Sequence, residues 1–140
     1  MPYPSLARYE TEAQYRAHFE RVYCTGAIMT FDGIPVRFKK KDFDHAFYES
    51  TLAKDDAFSR KRAQRIDWIK ATLEDPKSER YLGWDNKRKR YDRRRRVALV
   101  MGDYVVVIGI SSKGNGRFIT AFVADSGRTV RMIRQNPKWA

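Results

Sequence analysis

The chain has 140 residues, 29 Lys plus Arg against 17 Asp plus Glu, and a formal net charge of +12. A single cysteine, Cys24, excludes an intramolecular disulfide framework and a Cys-rich zinc site, and two histidines, His18 and His45, exclude a His-rich metal site. With 42% apolar and 14% aromatic residues this is the composition of one globular domain rather than of a disordered chain, and the surplus charge points to a polyanion, nucleic acid first.

Met1–Glu10 is short and contains proline, and is expected to lie on the surface as an arm. The start lacks the basic-then-apolar pattern of a signal peptide, so the cytoplasm is the expected location, either the producer's own or that of a target cell into which the domain is delivered. From Thr11, a good N-cap, Tyr15, Phe19 and Val22 recur at helical spacing, with Gly26 as a stop. Asp32-Gly33 between Ala27–Phe31 and Ile34–Phe38 predicts a hairpin, and Pro35 sends its second strand to an edge or to an unpaired position. Asp42 or Asp44 is a candidate cap for a short helix through His45 to Glu49. A helix over Ser59–Leu73 follows from the Ala63, Ile66, Ile69, Leu73 stripe, closed by Asp75-Pro76.

The second half predicts strands at Glu79–Trp84, Arg96–Met101, Tyr104–Ile110 and Arg117–Ala124, with Thr129–Arg134 as a last short strand. Tyr104–Ile110 is apolar at both parities, so it is expected to be central and covered on both faces, and it is far too short to span a membrane. Phe118, Thr120 and Phe122 are expected on one face of their strand. The plan is α+β: one domain over residues 1–140, with N-terminal helices packed on a mostly antiparallel sheet of four to five strands.

The positive charge is clustered. Lys87, Arg88, Lys89, Arg90, Arg93, Arg94, Arg95 and Arg96 are opposed only by Asp92, with Tyr91 among them and Trp84 and Tyr81 nearby. A second cluster is Arg37, Lys39, Lys40 and Lys41, and a third is Arg60, Lys61, Arg62 and Arg65. Arginine grips phosphate with a planar fork and stacks on aromatic faces, so these runs, with Arg117, are the expected nucleic-acid-binding residues. A localisation-like basic tract or a loop neutralised by an acidic partner uses the same residue types.

Metal-assisted cleavage needs convergent carboxylates, and Asp42, Asp44, Glu49, Asp55, Asp56 and Asp85 show no ligand spacing, so no metal and no cofactor is expected. Ser112–Gly116 lacks the Gly-Lys-Ser/Thr ending of a P-loop. Metal-free RNA cleavage needs less: a base for the 2′-hydroxyl, an acid for the leaving oxygen, and cations for the phosphorane. His45 is the leading acid/base candidate, Arg95, Arg96 and Arg117 are candidate phosphate holders, and Thr120 is a candidate hydrogen-bond donor. The structural alternatives are a hydrogen-bonded His45 held between Phe43 and Phe47, and a Thr120 that is an ordinary strand residue.

Gly114–Ala124, with Arg117-Phe118-Ile119-Thr120-Ala121-Phe122, resembles the hydrophobic-Thr-Ala-aromatic strand of the barnase–EndoU–colicin–RelE nuclease superfamily, its phage-associated branch above all. The likeness extends to the apolar hairpin, to Phe43-Asp44-His45-Ala46-Phe47, to Arg62–Ile69 ending at Pro76, and to the Arg96-Val97 and Val105–Ile108 strands, covering about residues 28–139. It implies a RelE/barnase-like fold and a metal-independent endoribonuclease of toxin or phage-effector type. Carried over by position, His45, Arg62, Arg95 and Thr120 would be catalytic. Members that cut mRNA on the ribosome rely on Lys, Arg and Tyr, for which Arg60, Lys61, Arg96 and Tyr104 stand here. The implied partners are RNA (tRNA, mRNA or ribosome-bound) and an acidic antitoxin or immunity protein, with no membrane. The alternative is a non-catalytic RNA- or DNA-binding module, or a phage structural or interaction protein, with the same fold.

Overall fold

The computed structural model describes residues 3–53, 56–85, 90–124, 127–136 and 138, with side chains described at all of these except 83–85, 90–95 and 127–129. Among these residues the fold is α+β, with five helices and a mostly antiparallel six-stranded sheet. The helices are α1 (Glu12–Tyr23), α2 (Asp42–Phe47), α3 (Arg60–Ala63), α4 (Ile66–Glu74) and α5 (Gly127–Arg134). The strands are β1 (Ile28–Met29), β2 (Pro35–Arg37), β3 (Tyr48–Glu49), β4 (Ala57–Phe58), β5 (Glu79–Asp85), β6 (Arg90–Met101), β7 (Tyr104–Ile110) and β8 (Gly116–Val123). The main sheet runs β1-β2-β8-β7-β6-β5, parallel only between β2 and β8, while β3 and β4 form a separate antiparallel pair.

The sheet exceeds the expected four to five strands because the N-terminal hairpin joins it. Val36 and Arg37 of β2 pair with Gly116 and Arg117 of β8. That places β2 inside the sheet rather than at its edge. Pro35 is tolerated because it is the first residue of the strand and precedes the β8 pairing. Gly33 closes the hairpin at φ +86, a conformation open to glycine, and its N–H donates to the Thr30 carbonyl at 3.0 Å.

The predicted N-cap of α1 is made in full: Thr11 and Gln14 form a reciprocal capping box. The helix expected over Ser59–Leu73 is instead two helices broken at Gln64-Arg65. The Gln64 carbonyl accepts from Ala7 N–H at 2.8 Å, so the N-terminal arm takes an acceptor that a continuous helix would have used. The same arm lays Tyr3 flat on Trp68 (centroids 4.0 Å apart), and the Trp68 indole N–H donates to the Pro4 carbonyl at 2.8 Å. In α2, Asp42 does not cap. It lies inside the helix and accepts from Lys39 N–H at 2.8 Å. Residues 48–49, expected to continue α2, turn into β3.

Both sheet faces are covered, as the apolar β7 requires. On one face Val97, Leu99, Val106, Ile108, Ile110 and Phe118 pack with Tyr15, Phe19, Phe43, Phe47, Ile66, Ile69 and Leu73 from α1, α2 and α4. On the other, Tyr81, Ala98, Val100 and Val105 pack under Val130 and Ile133 of α5. The expected terminal strand over Thr129–Arg134 is therefore a helix. Val130 and Ile133, three apart, bring one helical stripe onto this second face.

A bulge in β8 corrects a second expectation. Val107 opposes Thr120 but Ile108 opposes Phe118, which leaves Ile119 unpaired. The extra residue reverses the alternation. Phe118 enters the helix-side core, whereas Phe122 packs on the opposite face.

Candidate nucleic-acid interface and active site

His45 is the fourth residue of α2. Phe43, Ala46 and Phe47 are buried beneath that helix, and His45 itself is exposed. The apolar neighbours of His45 therefore anchor the helix and leave the imidazole outside the core. The His45 carbonyl falls in the last turn, where helical acceptors lack intrahelical donors. The Thr120 hydroxyl donates to it at 2.9 Å. Thr120 thus ties α2 to β8 along the stretch that β2 does not accompany, since the β2–β8 register covers only Gly116 and Arg117.

Beside this junction lies a cavity of about 330 Å³ lined by Ala46, Glu49, Lys61, Arg62, Arg65, Tyr104, Ala121, Phe122 and Val123. Ala46 and Ala121 are the chain neighbours of His45 and Thr120, so the backbone that carries these two expected catalytic residues borders the cavity, while Arg62 alone of the four lines it among the described side chains. Its polar wall carries three cations and one carboxylate. Arg62 is held in place: Nη1 donates to the Tyr48 carbonyl at 2.8 Å, and Nε is 3.9 Å from Glu49 Oε1. Arg65 lies over the Trp68 ring at 5.0 Å and donates to the Lys61 carbonyl at 2.6 Å, while its buried Nε has no partner among the described residues. Burial pushes the Tyr104 phenol well above its ordinary range, with the nearby Arg65 charge opposing the shift. Tyr104 is therefore a neutral hydroxyl at neutral pH.

The other expected residues separate into groups. Arg37, Lys39, Lys40, Lys41, Arg96 and Arg117 are exposed, and Lys40 approaches Glu20 at 3.8 Å. Arg60 holds the arm: its guanidinium donates to the Tyr9 and Glu10 carbonyls at 2.5 and 2.7 Å, away from the cavity wall formed by Lys61 and Arg62. Tyr81, expected near a stacking surface, is buried in the second core and donates to Glu79 at 2.5 Å. Lys87, Arg88 and Lys89 lie outside the described residues. For Trp84, Arg90, Tyr91, Arg93, Arg94 and Arg95 only the backbone is described: Trp84 pairs with Tyr91 and Asp85 with Arg90 in the β5–β6 ribbon, while Arg93, Arg94 and Arg95 fall in the register shift of β6, without partners on β5.

His18 has both ring nitrogens engaged, Nδ1 with the Tyr9 hydroxyl and Nε2 with Asp67 Oδ1, each at 2.8 Å. That arrangement makes it a structural link between arm, α1 and α4. Burial, then the Glu20 and Asp42 charges, push the Cys24 thiol up, which disfavours a thiolate. The residue that sequence reasoning left without a role is Glu49. Its place on the cavity wall depends on the turn from α2 into β3, which no local pattern signalled.

Compared with protein-family models, curated proteins and solved structures, the chain matches none of them.

Proposed function

We propose that the protein is a metal-independent endoribonuclease whose active site is the basic cavity beside His45. His45 takes the proton of the 2′-hydroxyl, that oxygen attacks the adjacent phosphorus, and the 5′-oxygen leaves with a proton from the wall that bears Lys61. Lys61 and Arg62 neutralise the phosphorane. The products are a 2′,3′-cyclic phosphate and a free 5′-hydroxyl. The observation that carries this reading is the junction itself: an exposed histidine, fixed through its own carbonyl by Thr120, on the residue next to Ala46 of a cavity walled by three cations and Glu49. The resemblance to the barnase–EndoU–colicin–RelE superfamily supports it independently of the geometry. RNA is the proposed partner, with an acidic inhibitor as the protein complement of such a face.

His45→Ala is expected to lower the cleavage rate roughly 10²–10⁴-fold while RNA binding persists. Single-turnover cleavage of a labelled RNA beside an anisotropy titration measures both, and a variant that cleaves at the wild-type rate removes His45 from the chemistry. A second reading, an RNA-binding module without chemistry, draws on one observation: the Arg62 guanidinium is already engaged by the Tyr48 carbonyl. It predicts salt-dependent binding with intact RNA throughout.

A further inference from the structure

The register of the main sheet sets two arginines side by side and brings a third close to the end of their row. Arg37 of β2 is the direct partner of Arg117 of β8, and Arg117 is the direct partner of Gly109 of β7. The β6–β7 register ends at Val97 and Ile108, and Arg96 is the next residue of β6, at the end of the stretch Arg93–Arg96 that the shift in the β5–β6 register leaves unpaired on β5. The paired row reads Arg37, Arg117, Gly109 across three neighbouring strands, with Arg96 on the fourth, one residue beyond the last β6–β7 pair, about 14 Å from Arg37 at the usual strand spacing.

Arg37, Arg117 and Gly109 face away from α1–α4. Their chain neighbours Val36, Phe38, Phe118, Ile108 and Ile110 belong to the helix-side core, and alternation along a strand sends the residue between to the other face; Arg96 is the exposed neighbour of Val97 on β6. Among the described residues the apolar cluster under helix α5 on that second face takes in Tyr81, Ala98, Val100, Val105, Val107 and Phe122, and none of Arg37, Gly109, Arg117 or Arg96 belongs to it. The three arginines are exposed, and none has an acidic partner among the described residues. Like charges on paired strand positions repel, so placing Arg37 beside Arg117 costs stability in the free protein. An anion seated between them relieves that cost. Gly109, the third partner, puts no side chain between Arg117 and Arg96.

The bulge at Ile119 joins this row to the His45 junction. Arg117 and Thr120 are an odd number of residues apart and would face opposite ways in a regular strand. With Ile119 unpaired, Arg117 opposes Gly109 and Thr120 opposes Val107, both on the second face. The row therefore runs on the same face as Thr120, whose hydroxyl reaches around the edge of β8 to His45.

We infer that Arg37, Arg117 and Arg96 form a phosphate rail for single-stranded RNA, which crosses the sheet on the face opposite α1–α4 and passes over the β8 edge to the His45 cavity. This inference rests on RNA as the substrate, but not on cleavage. A flat row of exposed guanidinium groups grips a phosphodiester backbone without reading bases, so RNA and single-stranded DNA of one length are held alike.

The test is anisotropy binding of labelled oligouridylate and oligothymidylate across a salt series to the full chain and to Arg37→Gln/Arg96→Gln/Arg117→Gln. A control, Arg8→Gln/Arg21→Gln/Lys77→Gln, removes the same charge from exposed positions elsewhere. Each lost phosphate contact lowers the slope of log K against log salt by about 0.7 on single strands, so the rail variant is expected to lose about two from the slope, with both oligonucleotides affected alike. The control is expected to lose less than half as much. An Arg→Lys triple at the rail retains the slope, which separates charge from folding damage. Equal loss in rail and control variants, or no loss in either, overturns the rail. Loss on oligouridylate alone also overturns it, since the row has no means of reading a 2′-hydroxyl. If the rail variant binds normally while His45→Ala stops cleavage, the rail fails and the nuclease reading stands. If the rail variant loses binding and no form cleaves RNA, the rail stands and the nuclease reading fails.

Discussion

Thr120→Val removes one hydroxyl and keeps the β-branched shape that the strand favours. The lost bond is the 2.9 Å donation to the His45 carbonyl. That carbonyl lies in the last turn of a six-residue helix, where helical acceptors lack intrahelical donors, while Phe43, Phe47 and the Arg16–Asp44 pair hold the rest of α2. A net intramolecular hydrogen bond is worth about 0.5–1.5 kcal/mol. Thr120 is only half-buried and water can reach the freed carbonyl, which sets the expected stability loss near the lower bound, about 0.5–1 kcal/mol. The effect on catalysis is expected to be larger, because a misplacement of about 1 Å at a reacting group costs up to about 10²-fold. About tenfold is expected here, since Phe43 and Phe47 still anchor the helix. Urea unfolding gives the first quantity and single-turnover RNA cleavage the second. Thr120→Ser keeps the donor and is expected to restore both. If Thr120→Val matches the wild type in both assays, or Thr120→Ser is as impaired as Thr120→Val, then the hydroxyl does not position His45.

Other predictions follow from the packing and the titrating groups. Leu73→Ala empties a fully buried site beneath the sheet and is expected to cost about 2–5 kcal/mol in urea melts, with cleavage intact at temperatures where the variant is folded. Trp68→Ala removes the surface on which Tyr3 lies and the donor to the Pro4 carbonyl; limited proteolysis is expected to release the arm from the variant and to spare the wild type. Burial raises the Tyr104 and Tyr23 phenols above their ordinary range, so their contribution is fully present below about pH 10 and is lost as pH rises beyond it. The alkaline midpoint by circular dichroism is expected to move up in Tyr104→Phe. Hydrogen bonding from Arg134 holds the Glu79 carboxyl below its usual range, so that pair stabilises above about pH 4.3 and is lost as pH falls. Because the pair is well exposed, Arg134→Gln is expected to flatten the acid limb by less than about 1 kcal/mol.

Much of the fold was legible in the residues. Thr11 before Tyr15, Phe19 and Val22 at helical spacing announced α1, Asp32-Gly33 announced the hairpin, and a run apolar at both parities announced β7 as central. What escaped was set by tertiary partners. The break at Gln64-Arg65 follows from the arm bonding the Gln64 carbonyl, a contact 57 positions away in sequence (64 − 7) that helical periodicity does not encode. A strand is expected over Thr129–Arg134, yet α5 forms there, because Val130 and Ile133, three apart, have a sheet face to cover. The bulge at Ile119 defeated period-two reasoning by one residue and moved Thr120 and Phe122 to the other face.

The candidate site was legible in its residue types and less so in its grouping. His45 stood out as one of two histidines, and basic runs marked the charged surface. Sequence gave Arg60, Lys61, Arg62 and Arg65 as one cluster, but the break between α3 and α4 and the docking of the arm divide it. Lys61, Arg62 and Arg65 line the cavity, while Arg60 fastens Tyr9 and Glu10. Glu49 and the Arg37–Arg117 pairing emerge only from topology, the first from the turn into β3 and the second from a parallel pairing between strands about eighty residues apart.

The most direct test of metal-free transesterification at the His45 cavity is the chemistry of the ends produced when the purified protein is incubated with RNA in excess EDTA. The account predicts fragments with 2′,3′-cyclic phosphate and 5′-hydroxyl ends, and their absence in His45→Ala. Intact RNA in EDTA, with and without ribosomes, or fragments that carry 5′-phosphate ends, would contradict it.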